Sequence, residues 1–534
     1  MDEDVTEALS ASDRARSFVV ERLLSNRISS RRELDRAKVE ASRLFPLNRF
    51  LSNAEILASL PPDRRQNFEE LLRVHPRRSA SGIVVVTAFS APFTCPHGTC
   101  TFCPGGPREG TPQSYVRGSP GMKAALLSEF DPCSQVRTSL EKYARNGHDI
   151  SKVETIIEGG TFIAVPLDYQ LAFVRGVFDG LNGSDSTSLG EAQVRNEVAK
   201  SRCVGLTLES KPDWCEPEHI DTMLGYGVTR LEIGVQSLRD DVLAQSNRGH
   251  TVDDSIRAFR SARDAGLKVT AHMMPGLPGA DPQGDLEDLE RLLSDEAFRP
   301  DMMKVYPTLV VGGTSIARQF EAGRYTPYDL ETTIELLSEM KRFVPRWHRI
   351  MRIQREIPAH EILGGVRSGN LRELVLRRVE EKGFACNCIR CREVALADAG
   401  QMNEEDELVL RRDDYAASAG VEVFCSYEYG RSGRLAAFVR MRHPSPAAHR
   451  AETESASIVR ELKVYGRVVP LGSRSDKAWQ HRGLGRSLIC EVEKIAREEF
   501  GARRMVVTSA VGTRNYYRAL GYERLGPYMA KALR

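Results

Sequence analysis

The stretch Thr94-Cys95-Pro96-His97-Gly98-Thr99-Cys100-Thr101-Phe102-Cys103-Pro104-Gly105-Gly106 decides how the rest of the chain is read. Its three cysteines, spaced C-x4-C-x2-C, can wrap one small iron–sulfur cluster, because each soft thiolate binds one iron. A [4Fe–4S] cube needs four ligands, so three thiolates leave one iron open. The natural occupant is the amino and carboxylate end of S-adenosylmethionine (SAM), whose sulfonium a reduced cluster cleaves to a 5′-deoxyadenosyl radical. A zinc loop is the plainer alternative. It accounts for the cysteines but not for the Gly-Gly-Pro after them.

At 534 residues the chain is too long for one core, and two to four domains are expected. With 41% hydrophobic and 28% charged residues it reads as globular rather than disordered or fibrous. No apolar run is long enough to cross a bilayer, and the acidic start MDEDVTEALS is no signal peptide, so the expected location is cytoplasmic, with no membrane partner. In a reducing compartment the clusters 95/100/103 and 386/388/391 point to metal ligation rather than disulfides. Cys133, Cys203, Cys215, Cys425 and Cys490 stand alone and read as small buried side chains. A net charge of +2 excludes a uniformly cationic protein, so any nucleic-acid surface is a local patch.

Residues 1–80 read as a helical extension with apolar positions Phe18, Val19, Leu23, Leu24, Leu34, Val39 and Leu44. Between Arg14 and Arg49 stand ten Lys/Arg against four Asp/Glu. Such a run is either a solvated face or an arm that grips RNA. From residue 82 short apolar runs alternate with helical stretches: Ile83–Ala88, Val153–Ile157, Val204–Glu209, Arg230–Val235, Lys268–His272, Met302–Tyr306 and Arg349–Ile353 are the expected strands. Repeated strand–helix units mean a parallel sheet curled into a full or partial (β/α) barrel, whose working groups sit at the carboxyl ends of the strands.

The unusual residues fall at those ends. Glu158, Gly159, Gly160 and Thr161 follow the second strand; Glu209 and Lys211 end the third. Glu232 and Gln236 end the fourth, His272 the fifth, Lys304 and Tyr306 the sixth. A Gly-Gly pair is usually only a tight turn, and a lone Glu usually a solvated or paired charge. Their placement on one rim beside the cysteine loop is more specific. The glycines would admit the methionine end of SAM, and Glu232 or Gln236 its ribose hydroxyls.

Residues 341–355 hold six Lys/Arg and no acid, with Trp347 embedded, and suit either solvent or a bound phosphate. Cys386, Cys388 and Cys391 follow, C-x-C-x2-C, a zinc clip whose fourth ligand could be His348, His360 or Cys425. From residue 400 the texture is antiparallel, with strands at Val421–Tyr427, Leu435–Met441 and Ser457–Val464. Gln480, His481, Arg482, Gly483, Leu484 and Gly485 then open a helix, offering free backbone N–H groups to a pyrophosphate. The Rossmann pattern competes, but its glycine fingerprint is absent and no strand–helix–strand unit is read around the loop. With Asn515, Tyr516 and Tyr517 this is the layout of an α+β N-acetyltransferase-type (GNAT) acetyl-CoA domain. Either tyrosine could be core or a proton donor to the thioester sulfur, with Tyr517 preferred.

Both halves together closely resemble the catalytic subunit of Elongator, the tRNA wobble-uridine carboxymethyl synthase, in its stand-alone archaeal or bacterial form. The resemblance spans roughly residues 80–534 and rests on Cys95-Pro-His-Gly…Cys100…Cys103-Pro-Gly-Gly-Pro, Gly159-Gly-Thr-Phe, Leu231-Glu-Ile-Gly-Val-Gln-Ser, Asn247-Arg-Gly-His-Thr, His272-Met-Met-Pro, Lys304-Val-Tyr-Pro, Gly369-Asn-Leu-Arg-Glu-Leu and Gly512-Thr-Arg-Asn-Tyr-Tyr. Lys211 and Glu356 depart from the Arg and Asp common in eukaryotic members, and Gly312 replaces an arginine. The resemblance implies a radical SAM domain over 81–360 with a [4Fe–4S] cluster on Cys95, Cys100 and Cys103, a helix and zinc linker over 361–399, and a GNAT domain over 400–534. It implies a reaction joining an acetyl-derived carboxymethyl group to carbon 5 of the wobble uracil, with the anticodon stem-loop of tRNA as partner. The candidate catalytic residues are Tyr516, Tyr517, Lys304 and Tyr306. RNA and acyl group are expected to meet in one closed cavity, because water must be kept from a radical. A homodimer and accessory subunits are left open. Two rivals remain: a protein lysine acetyltransferase with a structural radical domain, and an RNA-binding scaffold, which explains only the basic arm.

Overall fold

The computed structural model describes residues 10–79, 81–396, 406–465 and 483–534. It opens with helices Ala11–Leu24, Arg31–Leu44, Asn53–Ser59 and Arg65–Leu72. The first three start at serines in reciprocal capping boxes with Asp13, Glu33 and Glu55, which satisfy otherwise unpaired N–H groups. Val19, Leu23, Leu34, Ile56 and Leu72 join a small core of their own. The expected apolar positions Val39 and Leu44 are instead exposed.

All seven strands expected between residues 82 and 353 form: Val84–Phe89, Lys152–Glu158, Arg202–Ser210, Arg230–Gln236, Lys268–Met273, Met302–Val305 and Arg349–Arg352. They make one sheet in sequence order, every neighbouring pair parallel. An order without reversal belongs to a (β/α) barrel rather than a doubly wound sheet, and the unpaired outer strands make it a partial one. Phe173, Phe178, Phe259 and Leu292 of the helices share one core with Val153, Leu208, Leu231 and Val269 of the strands. Alternate strand residues face the other way, and there the charges pair: Arg230 with Glu154 and Glu232, Lys304 with Glu232.

The second sheet runs Leu408–Ala417, Gly420–Tyr429, Leu435–His443, Ala456–Val464, Arg504–Val507, Tyr528–Ala532, Glu523–Leu525 in spatial order. It is antiparallel except where Ala456–Val464 and Arg504–Val507 pair in parallel. Helix Leu484–Glu498 joins that pair, so the glycine loop does stand in a strand–helix–strand unit, contrary to the sequence reading. Local alternation marks a strand but not the direction of its partner. Strand Leu408–Ala417 escaped the reading because it is an edge strand whose charged side chains are largely exposed.

The two sheets meet at the amino ends of the parallel strands. Arg442 binds Asp264, Tyr528 donates to the Ala265 carbonyl at 2.9 Å, and Arg514 binds Glu197. Of the lone cysteines, Cys203, Cys215 and Cys425 are buried as expected, but Cys133 is half-buried and Cys490 lies on the solvent face of its helix. Among the described residues no helix is long and apolar enough to cross a membrane.

Candidate active site

The cysteine loop leaves the carboxyl end of the first parallel strand and folds back over the rim. Gly105, at φ +71°, lets it turn, because a Cβ there would collide with the Tyr115 carbonyl. Asn247 Nδ2 ties the loop down by donating to the Thr99 carbonyl at 2.8 Å. Cys95, Cys100 and Cys103 thereby line one cavity of about 220 Å³ together with Gly160, Thr161, Glu209, Lys211, Glu232, Gln236 and Tyr306. Gly159 and Lys304 do not line it. Gly159 backs onto Ser90, where a Cβ would clash, and Lys304 is buried against Glu232.

Two observations test whether the expected groups fit. The thiols of Cys386, Cys388 and Cys391 lie within 4.8 Å of one another, whereas those of Cys95, Cys100 and Cys103 do not form such a group. A tetrahedral zinc holds its sulfurs about 3.8 Å apart, so the first set fits one zinc ion and the second a wider, multi-iron cluster. Second, Gln236 ends its strand at φ +73°, and its Oε1 is buried without a partner at the cavity. An orphaned acceptor in strained backbone suits a ribose hydroxyl. Burial pushes the Cys103 thiol up to about 12, so a metal must displace its proton on binding.

Glu232 is engaged through one oxygen only: Oε1 makes no hydrogen bond and faces Arg230 Nε at 3.5 Å. Its Oε2 accepts from His272 Nε2 at 2.9 Å and from Lys304. Burial would raise its carboxyl, but Lys304, His272 and Arg230 hold it well below the usual range. Burial would lower Lys304, but Glu232, Tyr306, Glu209 and Glu158 together outweigh it and raise the group, which favours its charged form. Beside them burial, and then the Glu209 charge, push the Glu158 carboxyl up to about 8, while Tyr115 Oη donates to Glu209 at 2.9 Å.

Glu158, read at the rim, does line the cavity, while sequence reasoning missed Tyr115, Arg248, Arg352 and Arg355 there. Arg248 stood inside a quoted motif and the last two inside the basic run. Tyr115 carried no signal. The rest of that run is structural: Lys341 donates to Cys386 Sγ at 3.5 Å, Arg346 binds Glu428 and Arg349 binds Glu393. Trp347 stacks on Tyr415 at 4.0 Å, leaving no face for a base.

Around Cys386, Cys388 and Cys391 the three candidates for a fourth ligand differ in burial. His360 is 79% exposed and Cys425 belongs to the second sheet's core. His348 is buried, its carbonyl accepts from Ile389 N at 2.9 Å, and its Nδ1 donates to the Pro300 carbonyl at 2.8 Å. That leaves Nε2 buried without a partner, although it stands outside the 4.8 Å group that the three thiols form.

In the second sheet Gln480, His481 and Arg482 lie outside the described residues. Gly483 caps helix Leu484–Glu498 at φ +79°, and a Cβ on Gly485 would stand 2.9 Å from the Tyr516 hydroxyl. Tyr516 is half exposed there; Tyr517, edge-to-face with it at 5.2 Å, is buried in the core. Asn515 is turned away, its Nδ2 donating to the Glu197 carbonyl at 3.1 Å. Every residue lining the cysteine cavity lies between Thr87 and Ile357. Among the described residues, then, the second sheet contributes nothing to the cysteine cavity and docks on the opposite ends of the strands.

A three-cysteine loop on the rim of a parallel partial barrel, fused to an acetyltransferase-type sheet, defines a radical SAM–GNAT protein. Family models agree: Radical SAM superfamily over residues 91–293, Radical_SAM C-terminal domain over 300–381, Acetyltransferase (GNAT) family over 389–522 and ELP3 N-terminal domain over 12–80. The chain is 41% identical to the tRNA uridine(34) acetyltransferase of Methanocaldococcus jannaschii, covering 96% of this chain and 97% of that one. It is 41% identical to human Elongator complex protein 3, covering 94% and 93%. The structure of archaeal Methanocaldococcus infernus Elp3 with an N-terminal deletion superposes with a TM-score of 0.75 at 40% identity, covering 85% of this chain and 100% of that one. The chain belongs to the Elongator complex protein 3 family.

Proposed function

We propose that this chain modifies the wobble uridine of cytoplasmic tRNA, joining a carboxymethyl group derived from acetyl-CoA to carbon 5 to give 5-carboxymethyluridine. The observation that carries this reading is the cysteine loop: its thiols do not draw into the tight group that Cys386, Cys388 and Cys391 form, and they share a cavity with the unpartnered Gln236 Oε1. When bound there, a [4Fe–4S] cluster and SAM supply a 5′-deoxyadenosyl radical, the kind of reagent needed to activate an unacidic methyl group.

Cys95, Cys100 and Cys103 hold the cluster, Gly160 and Thr161 face the methionine end, and Gln236 and Glu209 take the ribose. Glu232 is held at Oε2 by Lys304 and His272, which leaves its Oε1 as a further acceptor at the same cavity. Tyr306 borders the reacting space; Arg352 and Arg355 bring positive charge for RNA phosphate. The helix start at Gly483 and Gly485 takes the pyrophosphate of acetyl-CoA, with Tyr516 and Tyr517 as the candidate proton donors. Cys386, Cys388 and Cys391 hold zinc. Residues 1–80 grip the tRNA. The names of the relatives above, a tRNA uridine(34) acetyltransferase among them, support the substrate.

Anaerobic incubation with tRNA, SAM, a reductant and acetyl-CoA, followed by nucleoside mass spectrometry, tests the reading. A new carboxymethylated uridine is expected. Acetylated lysine with unmodified tRNA would replace it with protein acetylation.

A further inference from the structure

The guanidinium of Arg248 is 6% exposed at the wall of the cysteine cavity. Its Nη2 donates to the Gly234 carbonyl at 2.7 Å, which fixes the plane of the fork. Nη1 donates to Cys100 Sγ at 3.3 Å, and Nε is buried without a partner. No carboxylate among the described residues stands within the 4.0 Å of an ion pair. The other buried cations around the rim are all compensated: Lys211 by Asp213 at 3.1 Å, Arg230 by Glu154, Lys304 by Glu232. Buried charges are kept in proteins when paired, so Arg248 requires an anion that the polypeptide's carboxylates do not supply. The atom it touches is a cluster ligand, and a thiolate-bound cluster is negative.

We propose that Arg248, acting on Cys100, sets the reduction potential of the iron–sulfur cluster, and so determines how strong a reductant is needed to start the reaction. This rests on the cluster reading above. Reduction adds one negative charge to the cluster. A fixed cation hydrogen-bonded to a ligand sulfur in a buried site stabilises the reduced form more than the oxidised form, which raises the potential. Ser114, whose hydroxyl lies 3.1 Å from Cys103 Sγ, offers a hydrogen bond without a charge. The two kinds of contact can therefore be told apart by substitution.

The test is an anaerobic redox titration of the reconstituted full chain without SAM, followed by electron paramagnetic resonance, with iron and sulfide counted in each sample. Arg248→Gln should lower the midpoint so that the reduced-to-oxidised ratio at fixed poise drops at least tenfold, about 59 mV for a one-electron couple. Arg248→Lys keeps the charge but loses the fork and should fall by less; Ser114→Ala should also shift less than Arg248→Gln. If Arg248→Gln does not hold iron, the Arg248→Lys midpoint decides: lower than the parent supports the inference, equal to it overturns it. A fully loaded Arg248→Gln protein with the parent midpoint overturns the inference and leaves the cluster reading standing. A parent chain that takes up no cluster overturns both.

Discussion

Arg460 and Asp301 are joined by two parallel hydrogen bonds, Nη1 to Oδ2 at 2.7 Å and Nη2 to Oδ1 at 2.6 Å, with both side chains fully buried. Arg460 comes from the second sheet and Asp301 from the turn before the sixth parallel strand, so this fork fastens one half of the protein to the other. Glu422 shares Arg460, and Arg440 and Arg263 stand close to Asp301. Removing the carboxylate strands guanidinium groups in a dry junction. Asp301→Asn should cost about 3–5 kcal/mol, read as a lower denaturant midpoint. A variant as stable as the parent would mean that the junction relaxes to admit water.

The same pair has a pH signature. Burial would raise the Asp301 carboxyl, but Arg460, Arg440 and Arg263 outweigh it and hold the group far below its usual range. With the folded value below the unfolded one, the stabilisation is complete above about pH 3.9 and is lost as pH falls toward the folded value. Acid titration of stability should therefore be steeper for the parent than for Asp301→Asn from about pH 4 downward. Parallel curves would contradict this.

The two metal sites should separate cleanly. Cys100→Ser should abolish the brown chromophore and SAM cleavage while leaving zinc at one per chain. Cys388→Ser should release zinc, keep iron, and open the junction to limited proteolysis. Lost iron with full zinc in Cys388→Ser would reverse the assignment.

The helix start at Gly483 should tolerate no side chain. A residue with a Cβ in that left-handed conformation costs roughly 1–2 kcal/mol, and glutamate adds a charge of the same sign as pyrophosphate. Gly483→Glu should lose acetyl-CoA binding by calorimetry yet still cleave SAM. Tyr517→Phe and Tyr516→Phe should both bind acetyl-CoA; the one that slows thioester turnover identifies the donor. Carboxymethylation by Gly483→Glu at the parent rate would require another entry for the acyl group.

In the amino-terminal helices Arg31 and Lys38 have protein partners, the Arg73 carbonyl at 2.9 Å and Asn53 Oδ1 at 3.0 Å, whereas Arg32 and Arg36 are exposed. Arg32→Ala with Arg36→Ala should weaken tRNA binding and flatten its salt dependence by about 0.7–0.9 in log–log slope for every phosphate the arm no longer neutralises. An unchanged slope would reduce the arm to a solvated helix.

The sequence by itself determined what is local. Cysteine spacing marked two separate thiol clusters, and short apolar runs between helical stretches placed seven strands within a residue or two of where they stand. Rim residues such as Thr161, Glu209 and Gln236 were legible because each strand delivers its own end to the same edge. What only the tertiary structure decided is pairing at a distance: Lys304 and His272 share one oxygen of Glu232, Arg248 finds Cys100, and His348 is buried where His360 is exposed. It also decided that the second sheet docks on the amino ends of the strands, through Arg460 and Asp301, rather than over the cysteine cavity. Spacing along the chain encodes which atoms one loop or strand can bring together. A buried charge takes its partner from whatever the fold carries within reach, since desolvation leaves it no alternative, and that reach crosses the chain in ways no local pattern records.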